Sequence, residues 1–91
     1  MEQQIQKRII NKLEADGWYV VKLMKTNRNG IPDLLAVKHD KTMFIEVKQP
    51  NGKLSPLQVF RINEMRQRGL TVFLWIDYET EIKSGSIKNR E

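Results

Sequence analysis

Ile5, Ile9 and Leu13 recur every fourth position, with Ile10 beside them and polar residues between. That stripe predicts an amphipathic helix over residues 2–16. Gly17 suits its end, because glycine accepts the left-handed backbone just past a helix terminus. The period then changes. Residues 18–24, WYVVKLM, are β-branched and aromatic and predict a strand. KTNRNG is a polar loop closing on Gly30. DLLAVK and TMFIEVK, on either side of HD, predict two strands of an antiparallel hairpin. QPNGK is turn chemistry. LSPLQVFRINEMRQRG predicts a second helix, with Ser55 as N-cap, Pro56 at the first helical position and Gly69 at the C-terminal cap. Residues 70–76, LTVFLWI, are almost continuously apolar, the pattern of a buried strand. Residues 77–91 are polar and weakly patterned, which leaves either a short edge element or a frayed end.

The resulting order, α-β-β-β-α-β with apolar residues on both strand faces, predicts an α/β fold with a mixed β-sheet flanked by helices. A chain of 91 residues suits a single domain, residues 1–91, with a small core that dimerisation would support. There is no internal repeat or linker. No apolar run approaches the ~18 residues needed to cross a bilayer. The opening MEQQIQKRII lacks the basic start, apolar centre and cleavage site of a signal peptide, so the expected location is cytoplasmic, with no membrane partner. The absence of cysteine excludes disulfides and thiolate metal sites. The net charge of +5 favours an anionic partner such as nucleic acid. The excess sits mid-chain: residues 38–68 hold seven basic and three acidic side chains, whereas residues 1–16 are neutral.

That basic middle surrounds the stretch GIPDLLAVKHDKTMFIEVK, residues 30–48. Period-two alternation puts Phe44, Glu46 and Lys48 on one strand face, and Asp33, Leu35 and Val37 on one face of its partner. A two-residue turn at His39–Asp40 or at Asp40–Lys41 sets Asp33 opposite Glu46 or opposite Lys48. Either register gathers all three, and a three-residue turn would scatter them. Opposed Cβ atoms stand about 5 Å apart. Two carboxylates at that distance repel unless one is protonated or a cation lies between them. Mg²⁺ typically takes one or two carboxylates, water and substrate phosphate. Lys48 on the same face can orient a water or stabilise charge on phosphate. The set points to metal-assisted hydrolysis of a phosphodiester.

IPD followed by EVK resembles the PD-(D/E)XK nuclease motif, and more closely the VRR-NUC family (virus-type replication-repair nucleases). The likeness runs through an early glutamate on the first helix, GIPDLL, FIEVK and GKLSPLQ, over roughly residues 1–76. The resemblance implies a restriction-endonuclease-like core. It implies Asp33, Glu46 and the Val47 carbonyl as ligands of Mg²⁺ or Mn²⁺, Lys48 as the catalytic lysine, and Gln58 and Glu2 as further active-site residues. It further implies a small phage-type member, in a bacterial host cytoplasm if phage-encoded, that acts as a homodimeric endonuclease on branched DNA such as Holliday junctions, without a small-molecule cofactor. A flap or nicking endonuclease, or a non-catalytic DNA-binding module on the same scaffold, are the alternatives.

Each residue also has a plainer reading. PD alone is turn chemistry, and ExK alone is common on solvated strands. Ser55-Pro56-Leu57-Gln58 fits a capping box, in which Gln58 reaches back to the N-cap amide. Glu2 suits a helix N-terminus by the dipole alone. Lys25, Arg28, Lys53, Arg61, Arg66 and Arg68 are candidate phosphate contacts, each of which, taken alone, reads first as a solvated surface charge. Among them Lys25 and Arg28 lie in the loop leading into Asp33. His39 has no partner at ligand spacing and reads as structural, and Trp18 and Trp75 as core or dimer contacts.

Overall fold

The fold is taken from a computed structural model, which describes residues 2–76. The first helix, α1 (Glu2–Ala15), buries the predicted stripe of Ile5, Ile9 and Leu13. It ends where Gly17 adopts φ 92°. The Gly17 N–H donates to the Glu14 carbonyl and the Trp18 N–H to the Leu13 carbonyl, each at 3.0 Å, the paired bonds of a Schellman cap. Trp18 therefore belongs to the helix cap and not to the following strand, β1 (Tyr19–Lys22).

After a loop come β2 (Leu34–Lys38) and β3 (Lys41–Lys48), an antiparallel hairpin in which Lys38 faces Lys41. The turn is His39–Asp40, the first of the two possible registers. His39 takes φ 57°, a left-handed conformation that histidine visits more readily than bulkier residues, in keeping with a structural role. The connection to α2 (Pro56–Gln67) follows, and then β4 (Val72–Ile76), parallel to β3. The sheet order is β1-β2-β3-β4, mixed as expected.

Alternation along the hairpin separates two cores. Leu34, Ala36, Met43, Ile45 and Val47 face α1 and pack with Ile9 and Trp75. The opposite face carries Phe44 and Val72, packed with Ile62 and Met65 of α2. Both helices are thus needed to dry the sheet, and α2 supplies the crossover that a parallel β3–β4 pair requires. Among the described residues β4 is an edge of this sheet. Val72 and Trp75 are buried and its other three residues half-buried, less than its apolar sequence alone predicts. The expected edge element or frayed end at 77–91 lies outside the described residues. Among the described residues no helix is long and apolar enough to cross a membrane.

Candidate active site

The face of the hairpin that looks toward α2 carries the candidate residues. Continuing the β2–β3 register one position past Leu34↔Ile45 sets Asp33 against Glu46. The backbone at this step points outward on both strands. The Asp33 carbonyl accepts from Leu23 N–H at 2.8 Å, toward β1, and the Phe44 N–H donates to the Thr71 carbonyl at 2.8 Å, toward β4. Glu46, two residues beyond Phe44, repeats that orientation. Asp33 and Glu46 therefore form a non-hydrogen-bonded pair, the kind whose side chains stand closest. Lys48 follows on the same face by alternation.

Asp33 is fixed by β3 itself. Its Oδ2 accepts the Val47 N–H at 2.8 Å. In an unbroken ladder that N–H would meet residue 32, which is proline and buried. Pro32 has no N–H to return to the Val47 carbonyl, so the ladder ends there, and the Asp33 carboxylate replaces the next rung. The order proline-then-aspartate thus brings a carboxylate and a backbone carbonyl of β3 to the end of the pairing. Pro32, read from the sequence only as part of the IPD motif, owes this role to its position opposite Val47 in the His39–Asp40 register.

Glu46 is only 1% exposed, among the most buried side chains of the domain. Its Oε2 accepts from Gln58 Nε2 at 3.1 Å. Gln58 also completes the capping box of α2. Its Oε1 accepts from the Ser55 N–H at 2.9 Å, and its own N–H donates to Ser55 Oγ at 3.1 Å. Capping and contact with the site, alternatives in the sequence, coexist in one side chain. The amide orientation follows, because the Ser55 amide can only donate and a carboxylate can only accept.

The approach to Asp33 is set by Gly30, which adopts φ 83°. A Cβ there would come within 3.0 Å of Leu57 Cγ and 3.2 Å of the Leu57 carbonyl. The chain thus slides under the first turn of α2 before entering β2. Gly52, in the turn after β3, passes close to the Lys48 stem: a Cβ on it would meet Lys48 Cδ at 3.3 Å.

The remaining candidates divide. Glu2 is the first residue of α1, and the structure does not describe its side chain. Lys25 and Lys53 are exposed in the loops before β2 and after β3. Arg28 borders a cleft with Arg61 and Arg68. Arg66 instead grips the Val72 carbonyl with both Nε (3.1 Å) and Nη2 (2.6 Å), tying the end of α2 to β4. Trp75 is core, and Trp18 is half-buried against the same cluster with the Lys38 ammonium 5.8 Å from its ring.

The all-oxygen donor set of Asp33, Glu46 and the Val47 carbonyl suits a hard divalent cation. Among the described residues no group of three or more His, Cys, Asp or Glu converges. Mg²⁺ ordinarily takes one or two carboxylates, with water and substrate phosphate completing its shell.

A mixed four-stranded sheet between two helices, with a carboxylate pair and a lysine on one face of its hairpin, defines a restriction-endonuclease-like domain. The model of the VRR-NUC domain matches residues 1–75, and the chain belongs to that family. It is similar to a solved VRR_NUC domain with TM-score 0.74 and 36% identity, over 82% of each chain. It is 32% identical over 59 residues to "Putative nuclease p44" of Acyrthosiphon pisum secondary endosymbiont phage 1. That match spans 64% of this chain and 63% of the phage protein.

Proposed function

We propose that the chain is a divalent-metal-dependent DNA endonuclease that selects branched DNA such as Holliday junctions and works as a homodimer. The observation that carries this reading is the Asp33 carboxylate bonded to the Val47 N–H and set beside the buried Glu46 carboxylate. A like-charged pair in that position is unfavourable as packing and suited to a cation. Asp33, Glu46 and the Val47 carbonyl hold Mg²⁺ or Mn²⁺. A cation there supplies charge neutralisation at the phosphodiester and a lowered pKa for a bound water. Gln58 holds Glu46 in orientation. Lys48 positions the attacking water and stabilises the charge developing on phosphate as water displaces the leaving oxygen in line. One such site cuts one strand, so symmetric cutting of a junction takes two copies. The phage relative supports a bacterial cytoplasm as the setting.

A panel of junction, flap, duplex and single-stranded DNA at fixed salt with Mg²⁺ tests the reading. Cleavage of junctions in preference to the rest is expected, and Lys48→Ala should abolish it with the circular dichroism spectrum unchanged. Equal cutting by Lys48→Ala would overturn the mechanism. Preference for flaps would redirect the substrate assignment, and binding without cutting would leave a non-catalytic module.

A further inference from the structure

Beside the hairpin face, against the C-terminal half of α2, lies a cleft of about 280 Å³. Arg28, Arg61 and Arg68 rim it, Ile31 and Met65 form its apolar floor, and Glu64 is its acidic side chain. Three cations against one anion leave a surplus of two positive charges in a concave place. Arg61 is anchored: its Nε donates to the Asn29 carbonyl at 2.9 Å and its Nη1 meets Glu64 Oε1 at 2.7 Å. The guanidinium groups of Arg28 and Arg68 make no hydrogen bond or salt bridge among the described residues. Glu64 is held below its ordinary pKa of 4.5, first by the hydrogen bond from Arg61 and also by the fields of Arg61, Arg28 and Arg68. Arg61 contacts the Glu64 carboxylate, and Arg28 and Arg68 line the same cleft.

We propose that this cleft is a phosphate-binding subsite for the nucleic-acid backbone, in which Glu64 occupies the anion position until a phosphodiester displaces it. Guanidinium groups suit this exchange because their fork matches carboxylate and phosphate oxygens alike. The position fits a strand that also reaches the carboxylate pair. Ile31 and Met65 belong to the same sheet-face cluster as Phe44, two residues before Glu46. Arg61 holds Asn29 directly before Gly30, whose bend leads into Asp33. The subsite deepens the endonuclease reading and rests on it for the identity of the anion.

Anisotropy of labelled junction DNA in EDTA, across a salt series, tests the subsite without cleavage. Arg28→Ala with Arg68→Ala should weaken binding and make the log–log salt slope shallower by about 1 for each backbone phosphate no longer held by an arginine. Glu64→Gln keeps an acceptor for Arg61 and removes the competing charge, so binding should tighten about two- to fivefold, the scale of an exposed ion pair. Titration with inorganic phosphate, followed by arginine side-chain NMR, separates free phosphate from backbone. Shifts with DNA at concentrations where phosphate gives none are expected, and equal shifts would replace the backbone by a free phosphate ligand. Unchanged affinity and slope in the double arginine variant, or weaker binding by Glu64→Gln, would overturn the subsite. That failure would leave a Lys48-dependent nuclease standing. Conversely, arginine-dependent binding with no cleavage by wild type would keep the subsite and remove the endonuclease.

Discussion

Gln58 connects the stability of a helix to the geometry of a carboxylate through one amide. Its oxygen serves the α2 cap and its nitrogen serves Glu46. Gln58→Glu keeps an acceptor for the Ser55 amide but sets a second carboxylate against Glu46. We expect α2 to persist by circular dichroism, while the pH midpoint of cleavage rises because Glu46 becomes harder to ionise beside a like charge. An unchanged pH profile would show that the Gln58 nitrogen does not tune Glu46. Gly30→Ala is the backbone counterpart. At φ 83°, with Leu57 within 3.0 Å of the added Cβ, it should cost about 1–3 kcal/mol in denaturant unfolding. At this scale the sequence was informative about side chains and caps but not about the backbone step that fixes Asp33. Alternation placed Glu46 and Lys48 together, but the rung that fixes Asp33 depends on the register, which the two possible turn positions at residues 39–41 left open.

The elements were legible where one local rule dominated. The stripe of α1 and the glycines at 17 and 69 predicted both helix ends, and both close as Schellman caps. At the second, Gly69 N–H donates to the Arg66 carbonyl and Leu70 N–H to the Met65 carbonyl, each at 3.0 Å. That bond also moves Leu70 out of the expected strand, so β4 begins at Val72. The face of α2 was not legible, because Val59 and Phe60 stay exposed while Ile62 and Met65 are buried. Its place rests on Ile62 and Met65, its caps and the Arg66 clamp. Ser55→Ala removes one cap bond and leaves the Ser55 amide in place for Gln58. It should lower stability by about 1 kcal/mol in chemical denaturation, with cleavage by the folded fraction unchanged. A loss of cleavage far beyond the loss of folded protein would place the hydroxyl in the site.

Across the whole molecule, the basic excess of residues 38–68 was visible in the sequence, but its arrangement was not. Folding sends Arg66 into a structural clamp and brings Arg28 beside Arg61 and Arg68, residues more than thirty positions away. The exposed apolar side chains of α2, Val59 at 42% and Phe60 at 57%, suit the contact of a second copy. Sedimentation at micromolar concentration should give a dimer, and Phe60→Ser should shift it toward monomer. A wild-type monomer throughout that range would refute the homodimer. The central claim is that Asp33 and Glu46 form one cation site, and calorimetric titration with Mn²⁺ in the absence of DNA tests it most directly. Binding at one site per chain is expected for the wild type and is lost in Asp33→Asn. No binding by the wild type, or equal binding by Asp33→Asn, would contradict it.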